Sequence, residues 1–257
     1  MITAYHRPHT MEEVLSLMAR PTPRTVPLGG GTLLSHLQSE ALEVVDLQAL
    51  ALDRIAAKGN SLEAGATATL QALLENANCP DALRTAIKLE APLNLRNAAT
   101  LAGSLVTCDG RSTLATAMLA LDAKLSSFPL QPRSGEAAAA EITQSLGDFL
   151  PLRPPLLITK VTIPLQARLA FDYVSRTPSD KPIVCVTLAQ WPSGRTRLAV
   201  GGFGVAPQLA MDGTEAVGID VAARNALHDA TDDWGTAEYR MDVAATLAKR
   251  CLQSLAG

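Results

Sequence analysis

The sequence has no run of Lys or Arg, and its 22 basic residues against 25 acidic ones leave a net charge of −3. Nucleic acids and anionic membranes are held by concentrated basic faces, so neither is expected as the main partner. No stretch reaches the roughly 18 apolar residues of a spanning helix, which argues against membrane insertion. Residues 1–20 carry His6, Arg7, Pro8, Glu12 and Glu13 where a signal peptide has its apolar centre, and this points to a cytoplasmic chain. Cys79, Cys108, Cys185 and Cys251 stand apart without any C-x-x-C spacing. They read as small buried hydrophobes, not as ligands of zinc or an iron–sulfur cluster. The four histidines are no better placed: His6 and His9 flank Pro8, and His36 and His228 fall in expected helices with no second ligand at metal spacing. No metal centre is expected.

At 257 residues, a chain buries about 70–75% of its unfolded surface and is stable without disulfide or metal. Residues 2–7 read as a strand stopped by Pro8, and Thr10 followed by Glu13 opens a helix with Val14, Leu15, Leu17 and Met18 on its apolar face. Strands follow at 25–28 and 43–47, then another at 61–65. Helices are expected over 69–76, 81–90 and 114–122, with an extended segment at 124–128 and a strand at 156–164. The Ala-rich run at 134–140 is a loop or a helical turn. After the strand at 156–164 the character changes to a meander, with strands at 171–176, 183–190 and 195–200, the last two joined by Pro192-Ser193-Gly194. Two helices end the chain, and in the second Tyr239, Val243, Leu247, Cys251 and Leu255 form an apolar stripe expected to be core. This pattern sets a boundary near Gln166.

Two glycine-bearing turns about 70 residues apart carry the functional signal: Leu28-Gly29-Gly30-Gly31-Thr32-Leu33-Leu34 and Thr100-Leu101-Ala102-Gly103-Ser104-Leu105. Glycine adopts φ > 0 and has no Cβ, so such a turn can curl bare N–H groups around an anion, and two such turns suit a diphosphate. Thr32 is a good N-cap, and Leu33, Leu34 and Leu37 suggest a short helix whose positive end faces that anion. Neither turn fits G-x-G-x-x-G with a later acidic residue, nor G-x-x-x-x-G-K-[ST], so a Rossmann or P-loop site is not indicated. A side chain at Gly30 is expected to block the phosphate and leave the chain folded.

With their flanks, these turns resemble the FAD-binding (medium) subunit of molybdenum hydroxylases, the family of carbon monoxide dehydrogenase and of the xanthine dehydrogenase flavin domain. The first turn is similar to A-G-G-T-D-L-L, and Leu95-Arg96-Asn97-Ala98-Ala99-Thr100-Leu101-Ala102-Gly103-Ser104 to I-R-N-V-A-T-I-G-G-N. Residues 119–123, 146–149 and 198–207, and the segment from Asp233 to Arg240, also look like family segments. The resemblance implies an α+β fold: two αβ subdomains that hold FAD (1–54 and 55–165), then a C-terminal domain (166–257) of a three-stranded antiparallel sheet with helices. It places FAD contacts at Leu28, Gly29, Gly30, Gly31, Thr32, Leu33, Thr100, Leu101, Ala102, Gly103, Ser104, Asp109, Thr113 and Leu157. No residue of the chain is assigned a catalytic role. The resemblance further implies an iron–sulfur small subunit and a molybdopterin large subunit as partners, with NAD, a quinone or oxygen as outer acceptor.

The chain departs from the family at several of these positions. Thr113 stands where the family has an Asp that helps hold the nucleotide, with Asp109 as the suggested substitute; Thr116 replaces a Pro, and Ala102 the first Gly of the second turn. Glu90 and Asp172 stand where the xanthine dehydrogenase branch has a Phe and a Lys beside its flavin. These departures suggest a second reading, a family member that keeps the fold and serves as an assembly scaffold without FAD; a free-standing flavoprotein reductase is a third. Other residues stay open between roles. Arg96 meets a phosphate or pairs with a surface carboxylate, Phe171 and Tyr173 lie on the flavin or pack as core, and Trp191 and Trp234 mark subunit contacts or sit half-buried at the surface. Glu238 and Arg240 read as an ion pair at a helix start. The last helix or the loop 133–141 is the expected partner contact.

Overall fold

The computed structural model describes residues 1–34, 40–130, 140–178 and 180–256. The chain opens with β1 (Ile2–His6), α1 (Met11–Met18), β2 (Thr25–Leu28) and β3 (Leu42–Asp46), and the strands form a parallel sheet in the order β1-β3-β2. Helix α1 starts where its sequence dictates: Thr10 Oγ1 accepts from the Glu13 amide, and the Glu13 carboxylate accepts from the Thr10 amide. Its one fully buried residue, Val14, packs with Val45, Leu47 and Leu157.

β4 (Ile55–Lys58) and β5 (Ser61–Gly65) lead into four helices, α2 (Leu70–Glu75), α3 (Asp81–Glu90), α4 (Leu93–Arg96) and α5 (Leu101–Thr107). Then come α6 (Thr113–Ala120), β6 (Lys124–Pro129), β7 (Ile142–Ser145), α7 (Leu146–Leu152) and β8 (Leu156–Pro164). The strands make an antiparallel sheet in the order β4-β5-β8-β6-β7. Helix α6 is buried along its whole length, as its Ala/Leu/Met composition on every face requires.

From Arg168 the chain forms a third sheet from β9 (Arg168–Val174), β10 (Val184–Gln190), β11 (Thr196–Gly201) and β12 (Gln208–Gly213), in the order β12-β11-β10-β9. It has four strands, not three. The extra one, β12, is an edge strand with a register break opposite Leu198 and Ala199 and no buried residue, so it shows no apolar alternation to read. Helices α8 (Ile219–Asn225) and α9 (Ala237–Ala256) close the chain, and α9 lies against β9 and β10. Leu247, Cys251 and Leu255 of the expected stripe are buried there, whereas Tyr239 is exposed.

The fully buried member at the start of α9 is Arg240. It does not pair with Glu238: its guanidinium donates to the carbonyls of Ala230 and Gly235 and to Asp232 Oδ1 at 2.5 Å, and it lies over the Phe203 ring. A buried guanidinium needs its donors answered, and the bend of backbone between α8 and α9 supplies acceptors for both terminal nitrogens, while Nε has no hydrogen-bond partner among the described residues.

Candidate cofactor cleft

Strand β2 runs directly into the first glycine turn. The amides of Gly29, Gly30 and Gly31 make no hydrogen bond to any described residue, and Gly31 takes φ = +68°, the left-handed conformation that curls successive N–H groups toward one point. Gly29 and Gly30 are glycine for a different reason. A Cβ at Gly29 would stand 2.6 Å from Thr100 Oγ1, and one at Gly30 1.6 Å from the Ala98 carbonyl oxygen. The two turns are therefore in direct contact. Thr32 and Leu33 lie in a turn, Leu33 is exposed, and the expected helix with Leu37, like His36, falls outside the described residues.

The second turn differs from expectation. Thr100 caps α5, with Oγ1 accepting from the Gly103 amide at 3.3 Å and its carbonyl from the Ser104 amide at 2.9 Å. The Leu101 and Ala102 amides donate to Ala68 and Ala66 carbonyls at 2.8 and 3.1 Å. All four N–H groups are thus committed inside the protein and no anion nest forms. Ala102 is helical, so it carries no left-handed strain, and Leu101 is core. What this turn offers a ligand is the Ser104 hydroxyl.

Between the turns lies a cleft of about 150 Å³ lined by Thr32, Glu90, Leu95, Ala99, Ser104, Cys108 and Lys181, among others. Burial pushes the Cys108 thiol up to about 11, so it is an inert wall. Asp109 is half-exposed beside this cleft; its Oδ2 accepts from Lys181 Nζ at 3.0 Å and its Oδ1 from the Arg111 amide. It makes no contact that replaces a carboxylate at 113. Thr113 is buried, and its Oγ1 donates to the Ala86 carbonyl at 2.7 Å and lies 3.2 Å from Glu90 Oε2. The carboxylate that reaches position 113 is Glu90, from the end of α3. The same oxygen accepts from the Leu114 amide and Ser112 Oγ, capping α6.

Leu157 is in the core beneath the first sheet, away from the cleft lining. Leu28 pairs with Asp46 as the last residue of β2. Arg96 pairs with no carboxylate among the described residues: it ties α4 to α2 and to the end of α3 by donating to Gln71 Oε1 and to the Lys88 and Ala91 carbonyls. Phe171 and Tyr173 stack on each other along β9, with centroids 5.8 Å apart, and Phe171 packs on the main core. Asp172, between them, points to Arg250 of α9. Trp234 is held between the guanidiniums of Arg111 and Arg176, each 4.1 Å from its ring centroid. Trp191 has Arg195 over its ring at 5.3 Å.

The Gly29–Gly31 backbone, with its three unpartnered amides and left-handed Gly31, fits the diphosphate of a dinucleotide, and the cleft beside it has hydroxyls, a carboxylate and apolar walls for what the diphosphate carries. No described helix is long and apolar enough to cross a membrane. Over 254 residues, 96% of the chain and 94% of the relative, the sequence is 26% identical to the uncharacterized protein YgfM of Escherichia coli K12. The fold is similar to a chain of quinoline 2-oxidoreductase from Pseudomonas putida 86, with TM-score 0.76 and 20% identity, covering 98% of this chain and 95% of that one. It is equally similar to a chain of carbon monoxide dehydrogenase from Oligotropha carboxidovorans, with TM-score 0.76 and 22% identity, covering 97% and 96%. The family model described as the FAD binding domain in molybdopterin dehydrogenase matches residues 1–166, so this chain belongs to the FAD-binding family of the molybdopterin dehydrogenases.

Proposed function

We propose that the chain is the FAD-binding electron-transfer subunit of a molybdenum-containing hydroxylase or dehydrogenase. Electrons reach it from [2Fe–2S] clusters of a small partner subunit, after substrate oxidation in a molybdopterin large subunit, and leave to an outer acceptor such as NAD or a quinone. The carrying observation is the first turn: three consecutive amides without a described partner, one of them left-handed, in a chain of an FAD-binding family. Bound FAD supplies the redox chemistry, and the protein binds, orients and tunes it. In this reading residues 1–54 and 55–165 hold the cofactor, 166–257 complete the subunit, and the complex is cytoplasmic. The quinoline and carbon monoxide dehydrogenase neighbours support the reaction class.

The test is tagged isolation from the native host. A yellow chain that releases FAD on denaturation and co-purifies with iron and molybdenum supports the reading; a yellow chain alone, without either metal, removes the relay.

The alternative is a scaffold that assembles with the same partners and takes up no FAD. Two observations favour it: the α5 amides are committed to Ala66, Ala68 and Thr100, and a carboxylate, Glu90, lines the cleft. A colourless chain that binds no added FAD and still elutes with the metal subunits decides for the scaffold.

A further inference from the structure

We infer that Glu90 is a ligand-binding residue of the cleft, accepting a hydrogen bond from an uncharged hydroxyl or N–H group of the bound molecule and keeping phosphate out of the cleft's interior. The inference rests on the FAD reading above and goes beyond it by assigning which chemistry enters.

Glu90 has its two oxygens in different situations. Oε2 is held by two donors, Ser112 Oγ at 2.8 Å and Leu114 N at 2.9 Å, with Thr113 Oγ1 at 3.2 Å beside it. These come from the start of α6, which is buried throughout, so the carboxylate is fixed before any ligand arrives. Oε1 makes no hydrogen bond to any described residue, and Glu90 is part of the cleft wall. A carboxylate is an acceptor only, and a half-buried one gains most from a donor brought by a ligand.

The same charge repels an anion, since the cation of the wall, Lys181, is already paired with Asp109 Oδ2 at 3.0 Å and Glu90 has no cationic partner among the described residues. The cleft holds about 150 Å³, the volume of an engineered protein cavity that takes one benzene ring. That volume matches a sugar or a single ring, and because the cleft is open on one side the rest of a dinucleotide can lie outside it. Thr32, next to the free amides of Gly29–Gly31, forms part of the wall. The diphosphate is thus placed on the first turn at the rim, with an uncharged, donor-bearing portion directed inward to Glu90. That portion is a sugar hydroxyl or a ring N–H, and it comes from either the flavin half or the adenosine half.

The test uses the full chain, with FAD, riboflavin and adenosine titrated separately into wild type and Glu90→Gln. Glutamine keeps a carbonyl oxygen for the Leu114 amide and Ser112 but loses the charge that caps α6, so the ligand-free unfolding midpoint should fall slightly, and binding is compared well below both midpoints. Its amide replaces the Oε1 acceptor by a donor, and FAD affinity should fall about tenfold or more. Riboflavin falls with it if the flavin half enters, and adenosine if the other half does. A second measurement needs no variant: on wild type, inorganic pyrophosphate should bind without displacing the riboflavin or adenosine that occupies the cleft. Competitive displacement by pyrophosphate overturns the inference. So does FAD binding to Glu90→Gln that is as tight as, or tighter than, to wild type, with the FAD reading intact. A wild-type chain that binds none of the three organic probes overturns both.

Discussion

The missing Cβ of Gly30 is the space occupied by the carbonyl of Ala98: an added methyl carbon would lie 1.6 Å from that oxygen and 2.4 Å from its carbon. The first turn thus rests on the backbone of the segment leading into α5. This changes what Gly30 tests, because a side chain there pushes the two turns apart before it meets any ligand.

Gly30→Val should lower stability by about 3 kcal/mol or more, since a backbone carbonyl cannot rotate aside as a side chain can. Chemical denaturation of the ligand-free variant reads this directly. Gly31→Ala is the cleaner probe of the nest: among the described residues nothing lies closer to its added Cβ than Leu28 Cδ1 at 3.5 Å, and the expected loss is about 1–2 kcal/mol from φ = +68° alone. A Gly30→Val chain as stable as wild type would show that Ala98 moves freely.

Arg240→Met should destabilise the chain by about 3 kcal/mol, near the low end for breaking a buried ion pair. Methionine fills the volume but leaves the Ala230 and Gly235 carbonyls and Asp232 without their donor. Asp232 is about a third exposed and recovers part of its hydration, which sets the low end. An unchanged urea midpoint would mean that water replaces the guanidinium fully.

Acid should weaken the fold through Asp212 and Asp232. The bidentate hydrogen bonds from Arg195 hold Asp212 below the usual carboxylate value, helped by Arg197 and opposed by burial. At Asp232 burial pushes upward, but Arg240 and the Trp234 amide outweigh it and the carboxyl also stays low. A lowered folded-state value means that the stabilisation is present above the ordinary value of 3.8 and is lost as pH falls through the folded one. Unfolding free energy should therefore drop between pH 5 and pH 2, and Asp212→Asn should flatten part of that drop while costing about 2 kcal/mol at neutral pH. Stability that rises on acidification would contradict the assignment.

The four cysteines should be silent in the native chain. Burial pushes Cys79 and Cys108 up to about 11 and Cys185 and Cys251 up to about 12. At pH 8 a thiol reagent should modify none in the folded protein and all four in denaturant. Fast native labelling of Cys108 would report opening of the cleft wall.

Much of the framework was legible because it depends on near neighbours in the chain. The Thr10–Glu13 box starts α1, the apolar spacing of 81–90 yields α3 at those bounds, and the alternation at 156–164 yields β8. The three glycines and the motifs around them marked the turn that carries free amides. Helix α5 was not legible, since Leu101–Thr107 is short and its glycine and β-branched residues argue against a helix until Thr100 caps it.

The sequence by itself determined the local backbone and the family: caps, periods and turns act over three or four residues, and the glycine motifs persist as a string. Only the tertiary structure decided which groups were left over. The α5 amides are consumed by Ala66 and Ala68, more than thirty residues earlier, and the carboxylate beside Thr113 arrives from Glu90 on another helix. Arg240 is buried because the bend before α9 folds its carbonyls around it, and Gly30 is glycine because Ala98 is there. Each of these is a contact between segments distant in sequence, where a donor, an acceptor or a volume is assigned by packing and not by the residues on either side.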